Sequence, residues 1–359
     1  MLSLETVFQA QNRLAPYVYH TPLIHLEALD ALLGCQVYVK AECMQLTHSF
    51  KIRGALNRIL ELSPEERSRG IVTASSGNHG RGVAYACKML GIKATVVIPS
   101  HAPAIKIQAV RDLGAEVVLC EKPQRFAIAE KLQQERGYCY VPPFDDYGVM
   151  AGQGTIALEI FQDMPNPDAV VIPIGGGGLT SGIATTVKAI RPQTKVYACE
   201  PALIPRFTAS LKAGHPVTVP QVDTIADGVA TLRPGDKTFP IVRDKVDEVL
   251  DIPEEALLPA MKLLLTEGKV LAEPSSSIGL AAIQCGKLHV TPEEKVVFVL
   301  SGGNLDLSLI QSLSELGPSF DYSKPTPVRK SRNLIYSYNP QLIAPGKFSS
   351  FPGAINKFI

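Results

Sequence analysis

Ala169-Val170-Val171-Ile172-Pro173-Ile174-Gly175-Gly176-Gly177-Gly178-Leu179 is the stretch that decides the fold. Its first half is a continuous apolar, β-branched run, as a strand buried on both faces requires. From Ser181 to Ile190 the pattern changes to helical spacing. A buried strand that feeds a helix through a tight loop is the repeating unit of a parallel sheet. Glycine costs backbone entropy, so a plain turn seldom needs four in succession. Four together let several N–H groups converge on a phosphate at the positive end of a helix. The run lacks the lysine and hydroxyl of a Walker loop and does not spell G-x-G-x-x-G. It therefore points to a phosphate-bearing cofactor without a nucleotide.

The same alternation runs outward in both directions. Strand patterns lie at Gln36 to Lys40, Gly70 to Thr73, Ala94 to Ile98, Val117 to Leu119, Val196 to Ala198 and Val296 to Leu300. Helical patterns lie at Ala55 to Leu62, Arg81 to Leu90, Ile105 to Leu113, Ala127 to Arg136 and Thr155 to Phe161, and several stop at glycine, as at Gly91 and Gly114. The chain reads as α/β with mostly parallel sheets. With 46% hydrophobic and 19% charged residues in 359, it can fill one large core or two smaller ones sharing a cleft. A net charge of +1 gives no reason to expect nucleic acid or a membrane surface as partner, so a small molecule is the expected ligand. No apolar run approaches the roughly 20 residues needed to cross a bilayer. The start, Met1 to Thr6, does not read as an export signal. Seven scattered cysteines without a C-x-x-C pair read as free thiols in a reducing cytoplasm. Beyond Gly317 periodicity is lost, and residues 318–359 read as a basic, proline-rich C-terminal extension.

Three further loops carry chemistry. In Thr47-His48-Ser49-Phe50-Lys51-Ile52-Arg53-Gly54 a lysine precedes a helix pattern; a lysine there is ordinarily solvated, but one that burial deprotonates can form a Schiff base with an aldehyde. Thr73-Ala74-Ser75-Ser76-Gly77-Asn78-His79-Gly80 lies between a strand and a helix, where hydroxyls and free N–H groups can hold a carboxylate. A helix cap accounts for one Ser or Asn and the glycines, but not for two serines plus Asn-His. Leu300-Ser301-Gly302-Gly303-Asn304 closes an apolar strand with a hydroxyl that could bond a ring nitrogen without forcing its protonation.

Taken together, in this order, the four loops resemble the fold-type II pyridoxal-phosphate enzymes, specifically the threonine/serine dehydratase and serine racemase family. The resemblance spans roughly Thr6 to Leu313 and includes His20-Thr21-Pro22-Leu23, Ala151-Gly152-Gln153-Gly154-Thr155, Thr224 to Val229 and Glu273-Pro274. It implies a tryptophan synthase β-like architecture of two three-layer α/β domains. The large, cofactor-binding one would hold residues 1–44 plus 142–317, and a small substrate-closing one, 45–141, would be inserted in it. It implies pyridoxal 5'-phosphate on Lys51 as a Schiff base, with Asn78 bonded to the 3-hydroxyl, Gly175, Gly176, Gly177 and Gly178 around the phosphate, Ser301 at the pyridine nitrogen, and Phe50 and Gly228 flanking the ring. Ser75, Ser76, Asn78 and His79 would line the dock for the substrate carboxylate. A homodimer is also implied.

The reaction so implied begins when the amine of a 3-hydroxy amino acid such as L-threonine or L-serine displaces Lys51, whose freed amine removes the α-proton, and ends in a 2-oxo acid and ammonia. Ser76 complicates this, because dehydratases of the family commonly have alanine there and racemases a serine; Pro143-Phe144-Asp145-Asp146 resembles the dehydratase segment. Dehydratase, racemase and dual activity stay open. The family's racemases also bind a divalent ion through a glutamate and an aspartate. Glu200 matches the glutamate, but Arg206 stands about where the aspartate would be, which weakens a cation site. From other classes, an amino-acid-binding pseudoenzyme using the basic tail as a contact arm is disfavoured by the intact lysine. A dinucleotide oxidoreductase lacks the acidic ribose contact, and a β-replacement enzyme would have Thr-Ser-Gly-Asn-Thr where this chain has Ser75 to His79.

Overall fold

Burial on both faces makes strands apolar throughout, and Ala94 to Pro99 and Ala169 to Pro173 are buried at every position. In the computed structural model the described residues are 1–75 and 77–316, with only the main chain of Lys122. Ser76 and the extension 318–359 lie outside them. The strands are β1 (Leu23–His25), β2 (Gln36–Lys40), β3 (Ile71–Ala74), β4 (Ala94–Pro99), β5 (Glu116–Cys120), β6 (Cys139–Tyr140), β7 (Ala169–Pro173), β8 (Lys195–Pro201), β9 (Glu248–Ile252) and β10 (Lys295–Val299). They form a six-stranded sheet in the order β1-β2-β10-β7-β8-β9 and a four-stranded sheet in the order β5-β4-β3-β6. Every pairing is parallel except β1 with β2.

The helices are α1 (Leu4–Leu14), α2 (Glu27–Leu33), α3 (Lys51–Glu61), α4 (Pro64–Arg69), α5 (Asn78–Leu90), α6 (Ala104–Arg111), α7 (Arg125–Arg136), α8 (Tyr147–Asp163), α9 (Gly178–Ile190), α10 (Arg206–Ala213), α11 (Thr238–Lys245), α12 (Leu257–Thr266), α13 (Pro274–Gln284) and α14 (Leu307–Glu315). α9 is buried from Gly178 to Val187 and α8 from Val149 to Ile160, so both are central and apolar nearly all round. α5 ends at Gly91, whose φ of +66° suits glycine. α3 begins one turn before the Ala55 that the pattern suggested, with Lys51 as its first residue.

A buried ionic cluster ties α3 to α8 and to the six-stranded sheet. Arg53 of α3 donates to Glu42 Oε1 and Oε2, both at 2.8 Å, and to Glu159 of α8 at 2.6 and 2.9 Å. Lys40 of β2 stands 2.7 Å from Glu159 Oε2. Two cations thus meet two carboxylates away from water, the condition under which buried charge is tolerated. Of the cysteines, all unpaired, five are buried. Burial pushes the Cys35, Cys43 and Cys87 thiols up to about 12, which keeps them protonated and unreactive. No helix among the described residues is long and apolar enough to cross a membrane.

Candidate active site

The site grows from the carboxyl ends of parallel strands, where successive loops face the same way. After β7, the loop from Ile174 into α9 has its carbonyls engaged on one side. Gly176 O accepts from the Thr238 hydroxyl at 2.6 Å and from the Gly235 N–H at 3.2 Å, and Gly175 O accepts from Arg206 Nε at 3.0 Å. The N–H groups of Gly175, Gly176, Gly177 and Gly178 have no acceptor among the described residues. Four unpaired donors in sequence at the start of a helix form an anion cradle. Gly177 has φ +98°, and a β-carbon on Gly176 would be driven into the Phe144 ring, so neither position accepts a side chain.

Phe144 belongs to a segment whose four residues each touch a different part of the site. The Pro143 carbonyl accepts from Lys51 Nζ at 2.8 Å. Phe144 covers Gly176 and Gly178. Asp145 accepts from the N–H groups of Asp236, Lys237 and Thr238 at 3.1, 2.9 and 3.2 Å, capping α11. Asp146 caps α8 through Val149 N at 3.0 Å. Lys51 as a residue is partly exposed, but its amine lies deep enough that burial draws the pKa down to about 8, against the opposing field of the Glu273 carboxylate. Phe50, whose ring centroid is 5.0 Å from that amine, donates its N–H to Ser301 O at 2.9 Å.

Ser301 is buried, with its hydroxyl 3.0 Å from that of Ser276 at the start of α13. Ser276 Oγ also donates to Gly302 O and accepts from Gly302 N, both at 2.7 Å. Ser276 commits its one proton to Gly302 O, so the Ser301 proton is left for Ser276 Oγ or for a ring nitrogen while both hydroxyls stay neutral. Asn78, the first residue of α5, donates from Nδ2 to Glu273 Oε1 and Oε2 at 2.9 and 3.1 Å and accepts from Asn304 Nδ2 at 2.8 Å. Glu273 is 3% exposed, and burial raises its pKa to about 7 despite the Asn78 bond. Gly228 donates to Ser275 Oγ at 2.9 Å beside the same carboxylate and borders Gly175 through Val229.

At the mouth of α5, Ser75 Oγ accepts from Gly77 N at 3.3 Å. The His79 ring is buried and bonded through Nε2 to Val141 O at 3.0 Å, which fixes that nitrogen as the protonated one. Burial and the nearby Lys51 charge pull its pKa down to about 3, so the ring is neutral. The imidazole is thus no anion donor, and among the described residues the main-chain N–H groups of Asn78 and His79 have no acceptor. Ser76 lies outside the described residues. Glu200, the candidate metal ligand, accepts from the N–H groups of Phe207 and Thr208 at 2.9 and 2.8 Å and so caps α10. Among the described residues no group of three or more His, Cys, Asp or Glu is placed to hold a metal.

Contacts link Phe50, Lys51, Asn78, Gly175 to Gly178, Gly228 and Ser301 to one another, directly or through Pro143, Phe144, Gly302, Glu273 and Val229, while Ser75 touches Gly77 at the start of α5. The sequence patterns missed Glu273 as a functional group, the Ser276 hydroxyl, the Pro143 carbonyl and Thr238. The first two had a signal in the run Glu273-Pro274-Ser275-Ser276; the others act through main chain or support. An anion cradle, a buried amine and a neutral hydroxyl pair suit the phosphate, aldehyde and ring nitrogen of pyridoxal phosphate.

Comparison with known proteins agrees. Residues 14–302 match the family model for pyridoxal-phosphate dependent enzymes. The chain is 43% identical over 319 residues to an L-threonine ammonia-lyase from Thermotoga maritima, spanning 88% of this chain and 79% of that one. The structure is similar to that of maize serine racemase, with TM-score 0.82 and 39% identity over 87% of this chain and 97% of the other. It is also similar to the T.th. threonine deaminase, with TM-score 0.80 and 44% identity over 85% and 99%. Identity at this level, over so much of each chain, leaves one placement: the protein belongs to the pyridoxal-phosphate-dependent enzymes, alongside threonine ammonia-lyases and serine racemases.

Proposed function

We propose that the protein is an ammonia-lyase that converts a 3-hydroxy amino acid, L-threonine or L-serine, to a 2-oxo acid and ammonia. The observation that carries the reading is the Lys51 amine, which donates to Pro143 O beside the Phe144 that covers the cradle at Gly175 to Gly178. Pyridoxal phosphate, when bound through Lys51, supplies the electron-accepting ring that stabilises negative charge at the substrate α-carbon.

The protein's own groups do the rest. The α5 N-terminus holds the substrate carboxylate, which fixes the α-carbon near Lys51. Once the substrate amine takes its place, the freed Lys51 amine, whose pKa burial draws down to about 8, accepts the α-proton as general base. The β-hydroxyl then leaves as water, with the α-proton that Lys51 took up balancing its charge, and the resulting enamine hydrolyses to the 2-oxo acid and ammonia. Ser301, backed by Ser276, offers the ring nitrogen a hydroxyl rather than a full charge, which favours rapid expulsion of the β-hydroxyl over long-lived charge storage. In this reading the four-stranded sheet and its helices, residues 45–141, form the lobe that closes on substrate, and the unpaired thiols suit a reducing, cytoplasmic compartment.

A second outcome, inversion at the α-carbon, is favoured by Ser76 in the sequence and by the serine racemase among the similar structures. One experiment separates them. Holoenzyme is incubated with L- and D-threonine and L- and D-serine while 2-oxo acid and enantiomer content are followed. The wild type should release 2-oxo acid, Lys51→Ala should release none, and Ser76→Ala should lose any inversion while sparing elimination. Failure to release 2-oxo acid from any of the four substrates, with cofactor trapped on Lys51 by borohydride, would rule out the lyase reading.

A further inference from the structure

Beside the glycine loop lies a fully buried charge with no part in the chemistry above. Arg206, the first residue of α10, donates from Nε to Gly175 O at 3.0 Å, from Nη1 to Ile204 O at 2.8 Å and from Nη2 to Ile174 O. The buried Glu200 carboxylate is 3.8 Å from Nη1 and is itself occupied by the N–H groups of α10. Burial lowers the Arg206 pKa to about 10, which still leaves the side chain charged at neutral pH. A guanidinium whose hydrogen bonds all go to carbonyls, with its counter-ion beyond hydrogen-bond distance, is a costly arrangement for packing alone.

Its geometry supplies a reason. In a trans peptide the carbonyl and the next N–H point in opposite directions. Drawing Ile174 O and Gly175 O back toward α10 therefore turns the N–H groups of Gly175 and Gly176 to the other side. Thr238 and Gly235 do the same for the next peptide through Gly176 O. The Arg206 fork suits this task because it fixes two consecutive peptide planes at once, which a single ammonium cannot.

We propose that Arg206 is a positioning residue for the cofactor phosphate: from behind the glycine loop it aims the N–H groups of Gly175 and Gly176 at the anion and adds a buried positive charge to the cradle. The proposal rests on the reading that Gly175 to Gly178 hold the phosphate. Its test compares pyridoxal phosphate with pyridoxal, which can still link to Lys51 but has no phosphate. Dissociation constants for both are measured by the visible absorbance of the Lys51-linked form in wild type, Arg206→Gln and Arg206→Lys, with circular dichroism to check folding.

Wild type should prefer the phosphorylated form. Arg206→Gln should weaken that form on the order of the 10- to 100-fold typical of a lost supporting partner, with pyridoxal unchanged, and Arg206→Lys should fall between. Should Arg206→Gln not fold, the same selective loss in Arg206→Lys decides the matter. Equal weakening of both ligands, or undiminished affinity for the phosphate, overturns the role of Arg206 alone. A wild type with no preference for the phosphate overturns it together with the assignment of the loop.

Discussion

Glu273 illustrates how much a single carboxyl depends on its surroundings. Asn78 holds it, Lys51 and Lys106 act on it as cations and Asp227 as an anion, yet burial dominates and its pKa rises from 4.5 to about 7. The sign follows from linkage: between those values the native state keeps a proton that the unfolded chain has shed. The apoprotein therefore loses stability as pH rises through this window. Glu273→Gln keeps the shape and stays neutral throughout. Relative to wild type, its stability in urea should improve from pH 5 to pH 8, by on the order of 3 kcal/mol at most. Parallel curves for the two proteins would show that Glu273 titrates normally. Lys51 was legible in sequence because three other loops gave it a purpose. Glu273 was visible only as part of a motif, since nothing in its neighbours along the chain tells a buried acid from a solvated one. The support given by Thr238 and Pro143 comes from distant segments and left no local mark.

At the scale of elements, the segment Pro143 to Asp146 works as a junction. Asp145 and Asp146 cap α11 and α8, so each of Asp145→Ala and Asp146→Ala should cost about 1 kcal/mol in urea unfolding. Only the first should also speed the loss of cofactor, because α11 begins with Thr238, whose hydroxyl holds Gly176 O. Equal cofactor release from both variants would mean that the α11 cap does not bear on the loop. Most of the elements were readable. Seven strands lie where β-branched runs predicted them, because strands covered on both faces need continuous apolar sequence. The three missed are short or marginal. β1 has three residues and β6 two, while β9, at the edge of its sheet, has only Leu250 and Ile252 buried and includes Glu248 and Asp251.

For the molecule as a whole, the Arg53 cluster joins β2, α3 and α8, and it lies two residues from Lys51. Arg53→Met would leave Glu42 and Glu159 with Lys40 as their nearest cation, and should destabilise the fold by about 3–5 kcal/mol. Urea unfolding of the apoprotein measures this; a loss under about 1 kcal/mol, the level of an exposed pair, would contradict it. Parallel sheets were legible from the alternation of strands and helices, but strand order was not, because periodicity carries no record of which strands become neighbours. That order bears on how the protein is made. β10, the last strand among the described residues, sits between β2 and β7. During synthesis β2 and β7 must wait as unpaired edges until residue 299 has left the ribosome, and Ser301 arrives only after that. A nascent chain thus has Lys51 early and Ser301 late, and release shortly before β10 yields two half-sheets with adhesive edges rather than a smaller enzyme.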